Sequence, residues 1–360
     1  MFIPILPIFI KQMGYDSSIS GLAIGLFTLV ALLCRPLSGW LLDARSKKPV
    51  LIVGGVVIAV SCVSYNFVAI LPMLFILRAF HAIGYSASTN ATATFTADVV
   101  PPARRGEGMG YYGFVFTASI ALGPALSMTI YHEAGMSTVF YTAFGLATAG
   151  FLLSTLIRGI KVQAQKPPTD KKVKSSLIEK TALPACSVMV IVGFAYIAIT
   201  SFISSYGFSI GLGGMSSFFF CYAATLLVCR IIVGKYTDKH GMYGVLIPGI
   251  ICMAAVFTLL GLIRIEPLFL LTAVIFGIGY GMVQPTLHAI VIASCAIQRR
   301  GAAGATFLGS MDLGMGLGAV VWGFFSAQFG YAMMYRTCIA VMAVACIRCL
   351  LFIRKQKNKE

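Results

Sequence analysis

The chain has 360 residues, of which 59% are hydrophobic and only 11% are charged. Soluble domains carry about 25% charged residues, so too few remain here to solvate a globular surface. A formal net charge of +16 would suit a nucleic-acid binder, but the basic residues cluster in short loops between apolar runs, which excludes that partner.

Residues 49–77, 108–131, 181–229, 245–263, 267–298 and 313–335 contain no Asp, Glu, Lys or Arg. About 20 apolar residues cross a bilayer as a helix. The runs 49–77 and 181–229 are too long for one helix, and each reads as two. Their breaks fall near Tyr65–Asn66 and in the Gly-rich segment Gly207–Gly214. Lipid admits only helices or closed barrels, and the period-2 alternation of barrel strands is absent. The predicted spans are 1–12, 19–42, 49–67, 70–96, 107–131, 137–158, 182–207, 214–235, 243–263, 267–294, 302–326 and 331–353. The expected class is an all-α membrane protein of twelve helices embedded in a lipid bilayer.

Alternate loops carry the positive charge. One side holds Arg45, Lys47, Lys48, Arg104, Arg105, Lys235, Lys239, Arg299 and Arg300, a basic linker from Arg158 to Lys180, and the tail residues Arg354, Lys355, Lys357 and Lys359. The opposite loops hold Lys11 and Arg264. Basic loops stay cytoplasmic, so both termini are expected in the cytoplasm of a multi-pass protein of the cell inner (plasma) membrane. Ten cysteines fall mostly within the spans and read as small, reduced apolar residues. The pair Cys346 and Cys349 lacks the roughly four ligands that zinc needs, so no metal site is assigned.

The sequence repeats itself at an offset of 195 residues. Cys34, Arg35, Gly39 and Asp43 fall on Cys229, Arg230, Gly234 and Asp238. Pro72 falls on Pro267, Ile83-Gly84-Tyr85 on Ile278-Gly279-Tyr280, and Arg104-Arg105-Gly106 on Arg299-Arg300-Gly301. Gly123 and Gly135 fall on Gly318 and Gly330. The expected organisation is a six-helix half at 1–160, a cytoplasmic linker at 161–181, a second half at 182–353 and a tail at 354–360, the halves being parallel repeats. Met1 aligns with Tyr196, inside helix 7, so residues 182–195 have no counterpart. Residues 1–10 reach about 15 Å as helix, half of the hydrocarbon core. The first helix is therefore expected to be truncated.

The segment Gly39-Trp-Leu-Leu-Asp43-Ala-Arg45-Ser-Lys47-Lys48 resembles the loop 2–3 signature of the major facilitator superfamily, and Gly234-Lys-Tyr-Thr-Asp238-Lys239-His-Gly241 resembles its second copy. Arg78 followed by His81 and Gly84 resembles the helix 4 signature. Gly113 and Gly123-Pro124 resemble the helix 5 signature of the drug–proton antiporter group. Ala44, Ser46 and His81 depart from those patterns. The resemblance implies a major facilitator fold with a central cavity lined by helices 1, 4, 7 and 10.

Three groups of residues are candidates for function. Gly39, Asp43, Gly234 and Asp238 sit at inner helix ends, where Gly admits a neighbour closely and Asp can accept bonds from a helix N-terminus or an Arg. The resemblance implies a gate there, with Arg45 and Asp98 as further members; a solvated loop charge is the plainer alternative. Arg78, His81, Tyr85, Ser88 and Thr92 share one face of helix 4, and Tyr280, Gln284 and His288 share one of helix 10. Both stripes suit cavity walls with substrate-binding residues Arg78, His81, Tyr85, Tyr280, Gln284 and His288, or plain bonds to neighbouring helices. Arg35 and Arg230 read as structural residues near the inner interface. Asp312 lies near the middle of helix 11 among Gly309, Gly314, Gly316 and Gly318, and an intramembrane acid is a functional candidate. It is expected to be a proton-coupling or cation-recognising carboxylate; a permanently protonated Asp bonded to a neighbouring helix, or one paired with an Arg for structure, is the plainer alternative.

No zincin, phosphate-binding-loop or nucleophile-elbow motif is present, so neither an enzyme nor a cofactor is implied, and a proton gradient is the expected drive. The expected activity is proton-coupled export of a small-molecule substrate by alternating access. Nutrient uptake on the same fold, and a non-transporting receptor or scaffold, are the alternatives. The oligomeric state is not legible in the sequence.

Overall fold

Apolar runs with no water to bond their backbone must close their hydrogen bonds internally, and every regular element among the described residues is helical. The computed structural model describes residues 1–44, 47–100, 105–156, 179–240, 242–262, 265–295 and 300–357. Helix α1 spans Phe2–Gln12, α2 Ser17–Ala44, α3 Lys47–Ser64 and α4 Leu71–Val99, with a short 3-10 turn Tyr65–Phe67 after α3. The stretch Arg105–Leu156 is broken at Gly135 into α5 (105–134) and α6 (136–156). Then come α7 Leu183–Ser209, α8 Met215–His240, α9 Tyr243–Leu260 and α10 Glu266–Ala293. The stretch Arg300–Lys357 is broken at Gly330 into α11 (300–329) and α12 (331–357). The described residues hold the expected twelve helices, and the two long runs divide where expected.

The repeat is visible in the backbone. Gly135 has φ 80 and ψ 179, and Gly330 has φ 77 and ψ 164. Residues with a Cβ avoid that region, so the same glycine turns the chain back in both halves. Helices α4 and α10 both start after an extended isoleucine, Ile70 or Ile265, with proline in the first turn. The missing N–H of proline matters least there. The crossings also match. A Cβ on Gly54 of α3 would lie 3.1 Å from the Gly84 carbonyl of α4, and one on Gly249 of α9 would lie 3.1 Å from the Gly279 carbonyl of α10.

The chain packs as two compact units. The first comprises Met1–Thr28, Thr117–Met136 and Ile178–Glu360. At its centre is α7, buried along most of its length and packed on α1 and on the 300–357 stretch. Trp322 Nε1 donates to the Phe194 carbonyl at 2.7 Å, and the Tyr335 hydroxyl donates to the Ala198 carbonyl at 3.2 Å. The glycines around Asp312 do what small residues permit: Gly314 and Gly318 meet the backbone of α7, and Gly316 meets Thr28 of α2. The start of α7 marks the linker end of this unit. The α1–α2 turn, the α7–α8 turn and the Gly330 break mark its far end.

The second unit comprises Leu29–Phe116 and Ser137–Leu177. Helix α4 packs on α3, and Tyr65, Leu74, Ala82 and Phe140 lie in its core. Lys48 Nζ donates to the Thr155 carbonyl at 2.8 Å, a cation placed where the last carbonyls of α6 need a donor.

Candidate functional site

In the second unit, Arg78 stands seven residues into α4, about 10 Å from its start. It is 5% exposed, and His81, one turn on, is 7% exposed. Their common partner is Tyr65, which the sequence gave no reason to select beyond a helix break. Arg78 Nη1 donates to the Tyr65 hydroxyl at 3.4 Å, and that hydroxyl lies 3.4 Å from His81 Nδ1. The Tyr65 ring packs on Phe140 of α6 at 5.5 Å between centroids. A membrane arginine turns away from lipid and seeks polar partners, and Arg78 has found one inside its own unit. Tyr85, lower on the stripe, is half-buried.

A second polar contact in this unit joins α2 to α4. Arg35 Nη1 donates to Asn90 Oδ1 at 3.2 Å, and Asn90 Nδ2 donates to the Arg35 carbonyl at 3.2 Å and the Ser38 hydroxyl at 2.6 Å. Arg35 thus ties α2 to α4 through Asn90. Asn90 lies about 120° round α4 from Arg78, off the stripe, and the stripe pattern missed it. An Asn within a membrane helix is itself the signal that could have found it.

The first unit gathers the other candidates. Tyr280 of α10 stacks on Tyr196 of α7 at 4.1 Å, and the Tyr196 and Tyr222 hydroxyls are 3.1 Å apart. The Tyr280 hydroxyl donates to Met311 Sδ at 3.7 Å, beside Asp312. Asp312 is 7% exposed and stands twelve residues into α11, about 18 Å along it. Tyr280 lies within electrostatic reach of both Asp312 and Arg230. His288, two turns further along α10, stacks on Phe307 of α11 at 4.8 Å, also within reach of Arg230. Gln284 is half-buried between them in sequence. Tyr280 and Asp312 therefore lie together beside Tyr196, Tyr222 and Met311, which the polar-stripe pattern did not select, while His288 stands apart against Phe307 with Arg230 within reach of both His288 and Tyr280.

The proposed gate residues fall at helix ends. Asp43 is in the last turn of α2, Asp98 in that of α4 and Asp238 in that of α8. Arg45 and the side chains of Asp43, Asp98 and Asp238 lie outside the described residues, as do the surroundings of Gly39 and Gly234. Among the described residues no group of His, Cys, Asp and Glu could hold a metal ion.

Comparison with known proteins bears on this arrangement. The family profile of the Major Facilitator Superfamily matches residues 1–295 and 218–360. The staphylopine export protein of Staphylococcus aureus is 23% identical over 372 residues, covering 98% of this chain and 92% of that protein. The multi-drug resistance efflux pump PmrA of Streptococcus pneumoniae is 24% identical, covering 96% of this chain and 90% of that protein. Among solved structures, the nucleoside transporter NupG superposes with a TM-score of 0.72 at 12% identity, over 98% of this chain and 94% of that one. The human organic anion transporter MFSD10 superposes with a TM-score of 0.67 at 16% identity, over 95% and 87%. These two likenesses speak to the fold alone.

Proposed function

The chain belongs to the major facilitator superfamily and is a multi-pass membrane transporter, not an enzyme; from that premise we propose that it exports a small organic solute in exchange for protons. The observation that carries this reading is Asp312, a carboxylate held near the middle of an apolar bundle, beside Tyr280 and Met311. A buried acid is favoured neutral by desolvation and charged by a nearby cation. If the two halves, 1–160 and 182–353, rock about the cluster, the surroundings of Asp312 alternate, and it takes up a proton on one side and releases it on the other. Two exporters among the relatives support the outward direction.

In this reading Tyr280, Gln284 and His288 of the first unit contact the solute, and Arg78, His81 and Tyr85 are the substrate-binding candidates of the second. Asp43 and Asp238, with Gly39, Gly234, Arg45 and Asp98, close the linker end. The basic loops support a cytoplasmic location for that end and for both termini. The test is a panel of solutes offered to cells lacking or overproducing the protein, followed by flux in energised vesicles with opposed gradients. Asp312→Asn keeps size and bonding but removes titration. It is expected to abolish accumulation against a gradient while leaving membrane insertion intact. Accumulation with unchanged pH dependence would refute the coupling role. Asp43→Asn is expected to cut flux severely at matched expression, and normal flux would refute the gate.

A further inference from the structure

Helix α12 has two unlike faces. Tyr335, Cys338, Met342 and Cys349 are buried at the spacing of one helical face. Opposite them Met333, Ala340, Val344, Ile347 and Leu351 are exposed. These are apolar, as a surface against lipid tails must be. Arg336 stands on the same exposed stripe, one turn from Met333 and one turn from Ala340. A charged side chain facing lipid is costly and needs a polar partner.

Helix α9 runs beside α12 in the opposite direction. Tyr243 at its start packs on Phe352 at 6.1 Å, and Phe257 near its end packs on Tyr335 at 6.3 Å. Its outward residues Ile251, Ala255 and Thr258 are exposed at helical spacing, so the two stripes make one shallow, largely apolar surface. At the far end of that surface α9 stops at Leu260 and the chain turns through Gly261. Buried Tyr206 donates to the Leu260 carbonyl at 2.7 Å, and exposed Arg336 donates through Nη2 to the Gly261 carbonyl at 3.4 Å. A Cβ on Gly261 would lie 3.0 Å from Arg336 Cγ, so the glycine lets the arginine stem lie along the turn.

The backbone fixes the depth of this contact. Irregular chain exposed to lipid is not tolerated within the hydrocarbon core, so the turn after α9 lies at the membrane interface. Arg336, about 9 Å along α12 from the Gly330 break, lies level with it, where a phospholipid carries its phosphate. The Gly261 bond uses one N–H of a guanidinium that holds several in a fixed fork. A carbonyl does not balance the charge, and among the described residues no carboxylate pairs with Arg336. Glu266, the acid that follows the turn, has its carboxyl against Gly214 at the start of α8. A planar fork matches two oxygens of a phosphate at once.

We infer that Arg336 and the Gly261 turn form a binding site for one phospholipid of net negative headgroup, with the guanidinium on its phosphodiester and its acyl chains along the α9–α12 surface. A zwitterionic lipid offers the same phosphate, but its own cation offsets the attraction, so the site discriminates by net charge. The site is independent of the transported solute and of the direction of transport.

The test uses the full chain with Ala340→Trp, which places an indole one turn from Arg336 on the exposed stripe. The protein is reconstituted in mixtures of phosphatidylcholine and phosphatidylglycerol, one of the two brominated in its acyl chains. Quenching beyond that of the parent, which carries the same two native tryptophans, measures relative affinity at this spot. Phosphatidylglycerol is expected to be preferred about fivefold, the worth of one basic residue near the headgroups. Arg336→Gln should bring the preference to about one. Arg336→Leu, which suits an apolar stripe, should do the same and serves if the glutamine variant does not insert. Equal affinity for the two lipids with Arg336 present, or a preference that survives its loss, would overturn the site. Soluble glycerol phosphate should leave the quenching unchanged, and displacement by it would overturn a lipid as the occupant. If neither brominated lipid quenches the reporter, and the chain is a dimer that Arg336→Gln dissociates, a second copy covers this face and the proposal fails.

Discussion

Replacing Gly330 with alanine distinguishes a built-in break from a bent but continuous helix by the sign of its effect. Gly330 has φ 77 and ψ 164, a region that is essentially glycine-only and costs other residues about 1–3 kcal/mol. Nothing lies within 4 Å of the Cβ that alanine would add, so no steric clash contributes and the whole penalty is backbone strain. Were α11 and α12 one helix, the same change would stabilise by about 1 kcal/mol, because alanine is the better helix former. The two geometries thus predict opposite signs. Gly330→Asn sharpens the comparison. Asparagine tolerates the ordinary left-handed turn, but at this ψ it should fare no better than alanine. The repeat mate Gly135 has φ 80, ψ 179 and equally open surroundings, so Gly135→Ala should cost a similar amount. The assay is thermal unfolding of the purified protein in detergent, read by size-exclusion recovery. A rise in unfolding temperature for Gly330→Ala would refute the break as a structural requirement.

Tyr65→Phe removes the hydroxyl that bridges Arg78 and His81, both buried; loss of a hydrogen bond of this kind is expected to cost about 0.5–1.5 kcal/mol, and an unchanged unfolding temperature would show that the bridge contributes nothing. Asp16 caps α2 in the α1–α2 turn, and its bond from the Ser18 hydroxyl, aided by the Ile19 and Ser18 amides, holds its pKa below the ordinary 3.8. A carboxylate with a depressed folded pKa stabilises above its unfolded value and loses that contribution as the pH falls through the folded one. Wild type should therefore exceed Asp16→Asn in unfolding temperature at neutral pH, and the gap should close below pH 3.8; a gap that persists in acid would contradict the charged cap.

What the sequence discloses and what it hides divide along a physical line. Helix ends and breaks are local. Pro72 and Pro267 start helices, Gly135 and Gly330 break them, and each acts through its own backbone, so an offset of the sequence on itself recovers where these helices start and break. Side-chain partners are not local. Arg78 and His81 were legible as costly membrane residues, but Tyr65 became their partner only because the turn after α3 brings it against α4 and Phe140. The arginines of the repeated motif make the same point. Arg35 bonds Asn90, whereas the offset places Pro285, which has no side-chain amide, at the matching point of α10. Arg230 instead lies near Tyr280 and His288. One motif on one repeated frame thus serves packing in the first half and adjoins the candidate site in the second. Repetition constrains the backbone of both halves alike, and the residues that break the repeat, Asp312 opposite Thr117 and Pro285 opposite Asn90, are where the halves can divide the work of transport.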